Sequence, residues 1–322
     1  MKNVKIVSGA FTVFLCMLIF ISCNKDNITP VAEESWVKVL SHTDNLLADI
    51  YFPNKSVGYA VGRNSTVLRT MDEGLTWNYA PLLLLPGDKN ISKVYFFNNN
   101  LGFFITAEGE MYKTDDGANS SHLVYTEANG CDCIDIHFSS AITGYIVGDS
   151  GLVVKTTDAG ETWQPLYTIS NNIRLSTVRF LDDNRGFAVG SVDYSFSGGT
   201  SRAIILKTTD GGSSWDTSYL STKNSTLGAM QFYNKTIGYA SGFNTTLKTT
   251  DGGNTWEVLE EGTGIHGCND IFPLDEQVVY RHIFPEFGSQ YHEFERSTNG
   301  GQSWAEVYFS GFEYLQKIFF VD

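Results

Sequence analysis

Short runs that alternate apolar and polar residues recur along the chain, and each ends in an aromatic residue. They read LADIYF (47–52), ISKVYF (91–96), CIDIHF (133–138), LSTVRF (175–180), LGAMQF (227–232) and LQKIFF (315–320). A second run follows each of the first five after a short turn, as in GYAVG (58–62) and GYIVG (144–148). Alternation with a period of two predicts β-strands with one buried face. The pattern therefore predicts an all-β chain.

The tryptophans indicate that these runs belong to a repeat. They stand at positions 36, 77, 163, 215, 256 and 304, and the 86 residues between the second and the third span two periods. A period of about 45 residues is typical of the blades of a β-propeller. Each period divides into four short strands, which is the number of strands in one blade.

One line of sequence precedes five of the tryptophans. It reads LRTMDEGLTW (68–77), VKTTDAGETW (154–163), LKTTDGGSSW (206–215), LKTTDGGNTW (247–256) and ERSTNGGQSW (295–304). Its glycine can take the positive φ of a tight reversal, and its aspartate can accept hydrogen bonds from the turn amides. We expect the Trp ring to pack against the next blade. The predicted structural residues are Asp72, Trp77, Asp158, Trp163, Asp210, Trp215, Asp251, Trp256 and Trp304, with catalytic or calcium-binding aspartates as the alternative.

The repeated line, written [S/T]-x-D-x-G-x-[T/S]-W, resembles the Asp-box, or BNR repeat, of sialidase-type propellers. The longer unit GYAVG…TVLRTMDEGLTW is even more similar to the repeat of the photosystem II stability and assembly factor propellers. The resemblance extends from residue 35 to about residue 310. It implies a propeller fold and a role in binding other proteins, although propellers support many activities.

The strand count predicts seven blades. First strands occur seven times when NDIFPL (269–274) is included, and outer strands occur seven times when SWVKVL (35–40) is included. The last blade then combines an N-terminal outer strand with a C-terminal inner strand and lacks its middle pair. We expect residues beyond 322 to supply that pair, because an open edge favours aggregation. A ring that stays open at one blade is the alternative. The predicted seven-bladed β-propeller occupies residues 35–322.

The N-terminus has the pattern of an export signal. MKNVK is followed by 16 residues, IVSGAFTVFLCMLIFI, that form an apolar run somewhat short for a membrane span. The tetrapeptide FISC (20–23) resembles a bacterial lipobox, which implies cleavage before Cys23 and a lipid on its thiol. The prediction is a lipoprotein signal peptide at 1–22, a polar tether at 23–34 and anchoring to a bacterial membrane, in particular the outer membrane. An ordinary secretory leader is the alternative.

The formal net charge of −14 excludes one class of function. Binding to nucleic acid depends on Lys and Arg that neutralise phosphates, and a strongly acidic surface repels them. A Lys or Arg recurs in each third strand, and we expect the two arginines at this position, Arg69 and Arg296, to be solvated repeat residues. The full set is Arg69, Lys113, Lys155, Lys207, Lys248 and Arg296.

Candidate binding residues lie where the blades differ. In a four-stranded blade the second-to-third strand connections lie on the face opposite the Asp-box turns, and two of them are long and aromatic: SVDYSFSGGTSR (191–202) and HIFPEFGSQYHE (282–293). Long loops on a rigid scaffold commonly carry binding sites. The candidates in these loops are Tyr194, Phe196, Arg202, Phe284, Phe287 and Tyr291.

The first strands place a second set of candidates near the propeller axis. These residues are Asp49, Lys93, Asp135, Arg179 and Asp270. A ring of mixed charge can hold a ligand or a side chain of a partner, and a water-filled channel lined with mutually paired charges is the alternative. His137 lies beside this set, but a single histidine without ligand spacing is a weak metal signal.

Catalytic and cofactor chemistry find little support in the sequence. We predict no catalytic, cofactor-binding or metal-binding residue, because no nucleophile elbow or zinc helix motif occurs. Cys133 and Cys268 occupy equivalent positions in blades three apart, too far for a disulfide. The CDC sequence that contains Cys131 leaves a local bridge or a metal site open. The leading hypothesis is a non-catalytic lipoprotein adaptor that binds an envelope protein; alternatives are a glycan-binding lipoprotein and, less favoured, a sialidase-like glycoside hydrolase.

Overall fold

The computed structural model describes residues 3–8, 12–17, 36–80, 88–127, 132–168, 172–193, 200–262, 267–284, 293–307 and 317–321. In these ranges the chain forms 28 β-strands and one 3-10 turn at Asp149–Gly151. No helix in the described part of the chain is long and apolar enough to cross a membrane. The prediction of an all-β propeller of four-stranded blades is confirmed.

Six blades consist of four consecutive antiparallel strands each. Blade 1 contains β4 (Leu47–Tyr51), β5 (Gly58–Gly62), β6 (Val67–Thr70) and β7 (Asn78–Tyr79). Blade 2 contains β8 (Ile91–Phe96), β9 (Gly102–Thr106), β10 (Glu110–Thr114) and β11 (His122–Thr126). Blade 3 contains β12 (Cys133–Phe138), β13 (Gly144–Gly148), β14 (Leu152–Thr156) and β15 (Gln164–Thr168).

The second half of the ring has the same order. Blade 4 contains β16 (Ile173–Phe180), β17 (Gly186–Val192), β18 (Arg202–Thr208) and β19 (Asp216–Leu220). Blade 5 contains β20 (Ala229–Phe232), β21 (Gly238–Gly242), β22 (Thr245–Thr249) and β23 (Glu257–Glu261). Blade 6 contains β24 (Gly267–Pro273), β25 (Val279–Phe284), β26 (Glu293–Ser297) and β27 (Ala305–Val307).

The predicted count of seven such blades is wrong, because only six are built from a continuous four-strand repeat in the described chain. One further four-stranded sheet combines both chain ends in the order β28 (Lys317–Val321), β1 (Asn3–Ser8), β2 (Thr12–Met17) and β3 (Trp36–Val39). The sequence predicts no middle pair there, whereas β1 and β2 occupy those places. Both strands lie in the segment interpreted as a signal peptide, and that interpretation stays a prediction.

In blades 1 to 5, the aromatic residue at the end of the first strand covers a glycine that begins the second strand. In blade 3, a Cβ atom at Gly144 would lie 2.7 Å from Cζ of Phe138, so the ring fits only over a residue without a side chain. Blades 1, 2, 4 and 5 repeat this close approach. The second strands β5, β9, β13, β17 and β21 are buried along their whole length. This packing explains why an aromatic residue and then a glycine recur in the sequence.

Each Asp-box turn is closed by its own side chains. In blade 3, Thr156 Oγ1 donates to Asp158 Oδ1 (2.7 Å) and accepts from Gly160 N (3.0 Å), while Thr162 N donates to Asp158 Oδ1 (3.0 Å). Gly160 has a φ of +79°. Trp163 Nε1 donates to Gly160 O (3.1 Å), so the turn also orients the indole ring. Asp116 makes the corresponding contacts in blade 2, where Ser121 stands in place of Trp.

The Trp rings pack toward the preceding blade, and the expected contact with the next blade is wrong. The Trp163 ring of blade 3 lies edge-on to Phe138 of its own blade, at 5.8 Å, and to Phe103 of blade 2, at 6.0 Å. Trp256 of blade 5 contacts Phe187 of blade 4 in the same way.

The cations of the third strands are not merely solvated, contrary to the expectation for Arg69. Lys155 Nζ and Tyr145 OH in blade 3 both donate to the backbone oxygen of Gly211, in the Asp-box turn of blade 4, at 2.8 and 2.9 Å. Arg69 contacts Gly117 and Lys248 contacts Gly300 in the same manner. Each of these turns is therefore held by the blade before it.

Replacement of Tyr145 by Phe should lower the free energy of unfolding by about 1 kcal/mol, because it removes one buried hydrogen bond to Gly211 O. Tyr79→Phe, at an exposed position of β7, is the matched control and should leave stability unchanged. Denaturant unfolding of both variants measures the difference. Equal stability of the two variants would contradict the assigned contact.

The stability of the Asp158→Asn variant should depend less on pH between 5 and 2 than that of the wild type. Hydrogen bonds from Thr162 and Thr156 lower the pKa of Asp158 to about 2. This carboxylate therefore contributes stability that is complete above about pH 4 and is lost as the pH falls toward 2. Asn keeps the turn geometry, as Asn299 does in blade 6. Unfolding measured between pH 5 and pH 2 should show a shallower loss for Asp158→Asn than for the control Asp216→Asn, and parallel curves would refute the assignment.

Candidate binding site on the propeller axis

The first strands of all six blades line one cavity of about 720 Å³, here called the axial pocket. Two layers of side chains define it, because alternate residues of a strand point to the same side. The first layer contains Asp49, Lys93, Asp135, Thr177, Ala229 and Asp270, and the second contains Tyr51, Tyr95, His137, Arg179, Gln231 and Phe272. The lining also includes Asn54 and Lys55 of the β4–β5 turn, so the pocket reaches the face that carries the Asp-box turns.

The first layer is a compact group of paired charges. Lys93 Nζ lies 2.8 Å from Asp135 Oδ1 and 3.9 Å from Asp49 Oδ2. Asp135 Oδ2 also accepts a hydrogen bond from Arg179 Nη1 at 2.6 Å. Asp49 and Asp135 are almost fully buried, and a buried carboxylate needs partners of this kind.

These polar side chains also join neighbouring blades. Asp49 accepts from Val94 N of blade 2 and Asp135 accepts from Val178 N of blade 4, each at 3.0 Å. Thr177 Oγ1 donates to Gly228 O next to blade 5 at 2.8 Å. The innermost strands are thus fastened to one another by side chains that belong to the pocket wall.

The second layer is mainly aromatic, with one cation. The rings of Tyr51 and Tyr95 have centroids 5.0 Å apart, and His137 lies edge-on to Tyr95. Arg179 crosses between the layers: its Nη1 contacts Asp135, and its Nε donates to Gln231 Oε1 at 3.2 Å. The pocket therefore has an inner layer in which Asp49 and Asp135 contact cations and backbone amides, and an aromatic layer that carries a guanidinium group.

Burial and charge set the protonation states. Burial lowers the pKa of Lys93, but the nearby Asp135 and Asp49 carboxylates outweigh it, and the net pKa is raised. Burial likewise raises the pKa of Asp135, and the two cations more than reverse it, so the pKa lies well below the usual range. Lys93 and Asp135 are therefore both charged at neutral pH.

His137 is neutral in this environment. Burial and the positive charge of Arg179 lower the pKa of His137 to about 4. Its Nε2 lies 3.2 Å from Phe180 O, which requires the proton on Nε2 because a carbonyl oxygen only accepts. Nδ1 therefore carries the lone pair.

The structure brings together Asp49, Lys93, Asp135, Arg179 and Asp270, which the sequence places near the axis. Arg202 lies elsewhere, at the start of β18, where it pairs with Asp193 at 3.0 Å. Phe284 ends β25, and Tyr194, Phe196, Phe287 and Tyr291 lie outside the described residues. Gln231 and Lys55 were not among the predicted site residues. The alternation of β20 indicates that Gln231 faces the axis, whereas no pattern in the sequence marks Lys55.

Outside the axial pocket, the described residues offer few groups suited to thiol or metal chemistry. Cys133 and Cys268 are buried free thiols, and Cys131 lies outside the described residues. Among the residues that the structure describes, no group of three or more His, Cys, Asp or Glu side chains is arranged to hold a metal ion. The fold and this pocket define a β-propeller of Asp-box repeats with a charged and aromatic axial site.

The family follows from the sequence matches. A model of the photosynthesis system II assembly factor YCF48 family matches three overlapping stretches, residues 28–127, 86–194 and 123–224. The chain therefore belongs to this family. No curated protein sequence matches it.

Solved structures show the same fold. YCF48 bound to D1 peptide has 21% identity and a TM-score of 0.61, with 82% of this chain and 83% of that chain covered. YCF48 from Cyanidioschyzon merolae has 19% identity and a TM-score of 0.62, with 83% and 86% covered. The GH74 xyloglucanase from Xanthomonas campestris has 12% identity and a TM-score of 0.57, with 93% and 68% covered. At these identities the likeness shows the propeller fold alone.

The depressed pKa of His137 predicts a specific dependence of stability on pH. The unfolded chain takes up this proton near pH 6.5, whereas the folded chain does so only near pH 4. Stability should therefore fall by about 2 kcal/mol as the pH is lowered from 7 to 4, allowing for solvent in the open pocket. His137→Asn should remove this decrease, and His122→Asn on exposed β11 is the control. Unfolding curves measured at pH 7 and pH 4 test this prediction. An undiminished loss of stability in His137→Asn would contradict a neutral buried histidine.

Proposed function

We propose that this protein is a non-catalytic, membrane-anchored propeller that binds another protein and assists its assembly at a bacterial cell envelope. The observation that carries the proposal is the family match over residues 28–224, because the family is that of an assembly factor. The relative solved with a D1 peptide supports protein binding as the mode of action. The pocket of this chain offers charged and aromatic groups on a rigid scaffold, which suits recognition of a peptide segment.

The electrostatics of the pocket argue against glycoside hydrolysis. A glycosidase needs one carboxyl group whose pKa is raised so that it can act as a general acid. The pKa of Asp135 is shifted in the opposite direction by Lys93 and Arg179. Its carboxylate is already committed to two cations and a backbone amide. This group is suited to holding the strands together.

The membrane anchor rests on the sequence. Cys23 follows an apolar run in the tetrapeptide FISC, and residues 24–34 form a polar segment before the first outer strand. A lipid on Cys23 with this tether would hold the propeller close to a membrane surface, in particular the outer membrane. Labelling with a radioactive or clickable fatty acid, lost in Cys23→Ser, tests the anchor separately from binding.

A glycan ligand is the second candidate. The observation that favours it is the pair of Tyr51 and Tyr95 rings in the pocket wall, since aromatic faces stack on sugar rings. The same rings also suit an apolar side chain of a peptide. Binding of the purified protein to a glycan array would support this alternative.

Site-specific photocrosslinking in cells tests the main proposal. A photoreactive residue placed at Lys55 samples the mouth of the axial pocket, and one placed at Arg202 samples the opposite face. We expect one protein to be captured reproducibly from the membrane fraction, at one of these positions in preference to the other. A truncated chain that consists of residues 1–34 alone is the control. Absence of any protein enriched over this control, together with binding to a glycan array, would overturn the adaptor proposal.

A further inference from the structure

The side chains of the axial pocket differ in how fully their polar atoms are used. Nη1 of Arg179 donates to Asp135 and to Val178 O, and its Nε donates to Gln231. Within the described residues, its Nη2 group has no hydrogen-bond partner, and neither does the side-chain amide nitrogen of Gln231. Arg179 and Gln231 both line the pocket and are only half-buried, so these donors are available to an acceptor that binds there.

The charges of the lining indicate which charge a ligand that accepts these hydrogen bonds should carry. Among the described residues of the lining, Lys55, Lys93 and Arg179 balance Asp49, Asp135 and Asp270, whereas the whole chain carries a net charge of −14. The carboxylates lie in the first layer, and both Asp49 and Asp135 already accept from a backbone amide. The second layer contains no carboxylate. A ligand that enters past Lys55 therefore meets hydrogen-bond donors and aromatic rings before it meets a negative charge.

We propose that Arg179 and Gln231 form a binding site for a carboxylate group carried on an apolar or aromatic body. The guanidinium Nη2 and the Gln231 amide donate to the carboxylate, since an arginine fork matches the geometry of that group. Tyr51, Tyr95 and Phe272 surround the apolar part of the ligand. A cationic ligand is disfavoured because Lys93 and Arg179 would both repel it.

The carboxylate can belong to a peptide segment or to a free small acid. The peptide form rests on the proposed function, and it would make the pocket the anchor point for an acidic side chain or a C-terminus of the partner. The free-acid form does not depend on that function. The site is therefore tested with small probes, whose result is independent of the crosslinking outcome.

Isothermal titration calorimetry of the full chain is the experiment. The probes are 3-phenylpropionate and the uncharged 3-phenylpropanamide, which differ only in the carboxylate. We expect the acid to bind at least about tenfold more tightly than the amide, because a hydrogen bond to a charged group contributes about this much or more. Comparison with an acetylated tripeptide that ends in Phe distinguishes a peptide source from a free acid by which of the two binds more tightly.

Variants identify the residues. Arg179→Gln should weaken binding of 3-phenylpropionate about tenfold to a hundredfold, and Arg179→Lys should weaken it less. Gln231→Leu keeps the volume and the Arg179–Asp135 ion pair, so it tests the site even if loss of Arg179 impairs folding. Arg202→Gln, which removes the same charge on the opposite face, should leave binding unchanged. Equal binding of the acid and the amide, or full affinity in Gln231→Leu and in a folded Arg179→Gln variant, would overturn the inference.

Discussion

The contact between an Asp-box turn and the blade before it is the interaction on which the rest of the structure depends. A tyrosine and a lysine, such as Tyr145 and Lys155, donate to one backbone oxygen of the following turn. The indole of the box packs back on an aromatic ring of the preceding blade. The contact to a backbone oxygen occurs between blades 1 and 2, 3 and 4, and 5 and 6. At the two seams between these pairs, Lys113 contacts Glu161 and Lys207 contacts Asn254 in the following turn. Each of these six blades is therefore fixed to its neighbour at its outer edge. The apolar clusters between blades then complete the seam.

Fixing the outer edge leaves the inner strands to define a site. Six strands approach the axis and place alternate side chains in two layers around it. The first layer serves contacts between blades, since Asp49 and Asp135 accept hydrogen bonds from backbone amides in the first strand of the following blade. The second layer retains unused donors and aromatic surface. Because the first layer joins the blades and the second layer faces the ligand, the residues of the second layer can differ with the ligand while the ring of blades stays closed.

Most of the fold could be predicted from the sequence because it repeats. Alternation, the aromatic residue that covers a glycine, and the Asp-box line each recur often enough to fix the strand order. The blade count could not be predicted correctly, since strands from both chain ends join one sheet, and residues 3–17 read as an export leader rather than as strands. The direction of Trp packing and the role of Lys155 depend on contacts between blades, which no local pattern encodes. In the site, alternation identifies Asp135 and Arg179, but not the hydrogen bond that joins Arg179 to Gln231.

The central claim is that the repeated boxes hold the fold while the axial pocket provides recognition. The most direct test is the yield of crosslinked partner per molecule of folded protein, measured in cells across substitutions at both kinds of position. The account predicts that changes at Asp158, Asp210 and Asp251 lower the amount of folded protein and leave this ratio unchanged. It predicts that changes at Arg179 and Gln231 lower the ratio at nearly normal abundance. Loss of partner capture in box variants of normal abundance, with full capture in the axial variants, would contradict the account.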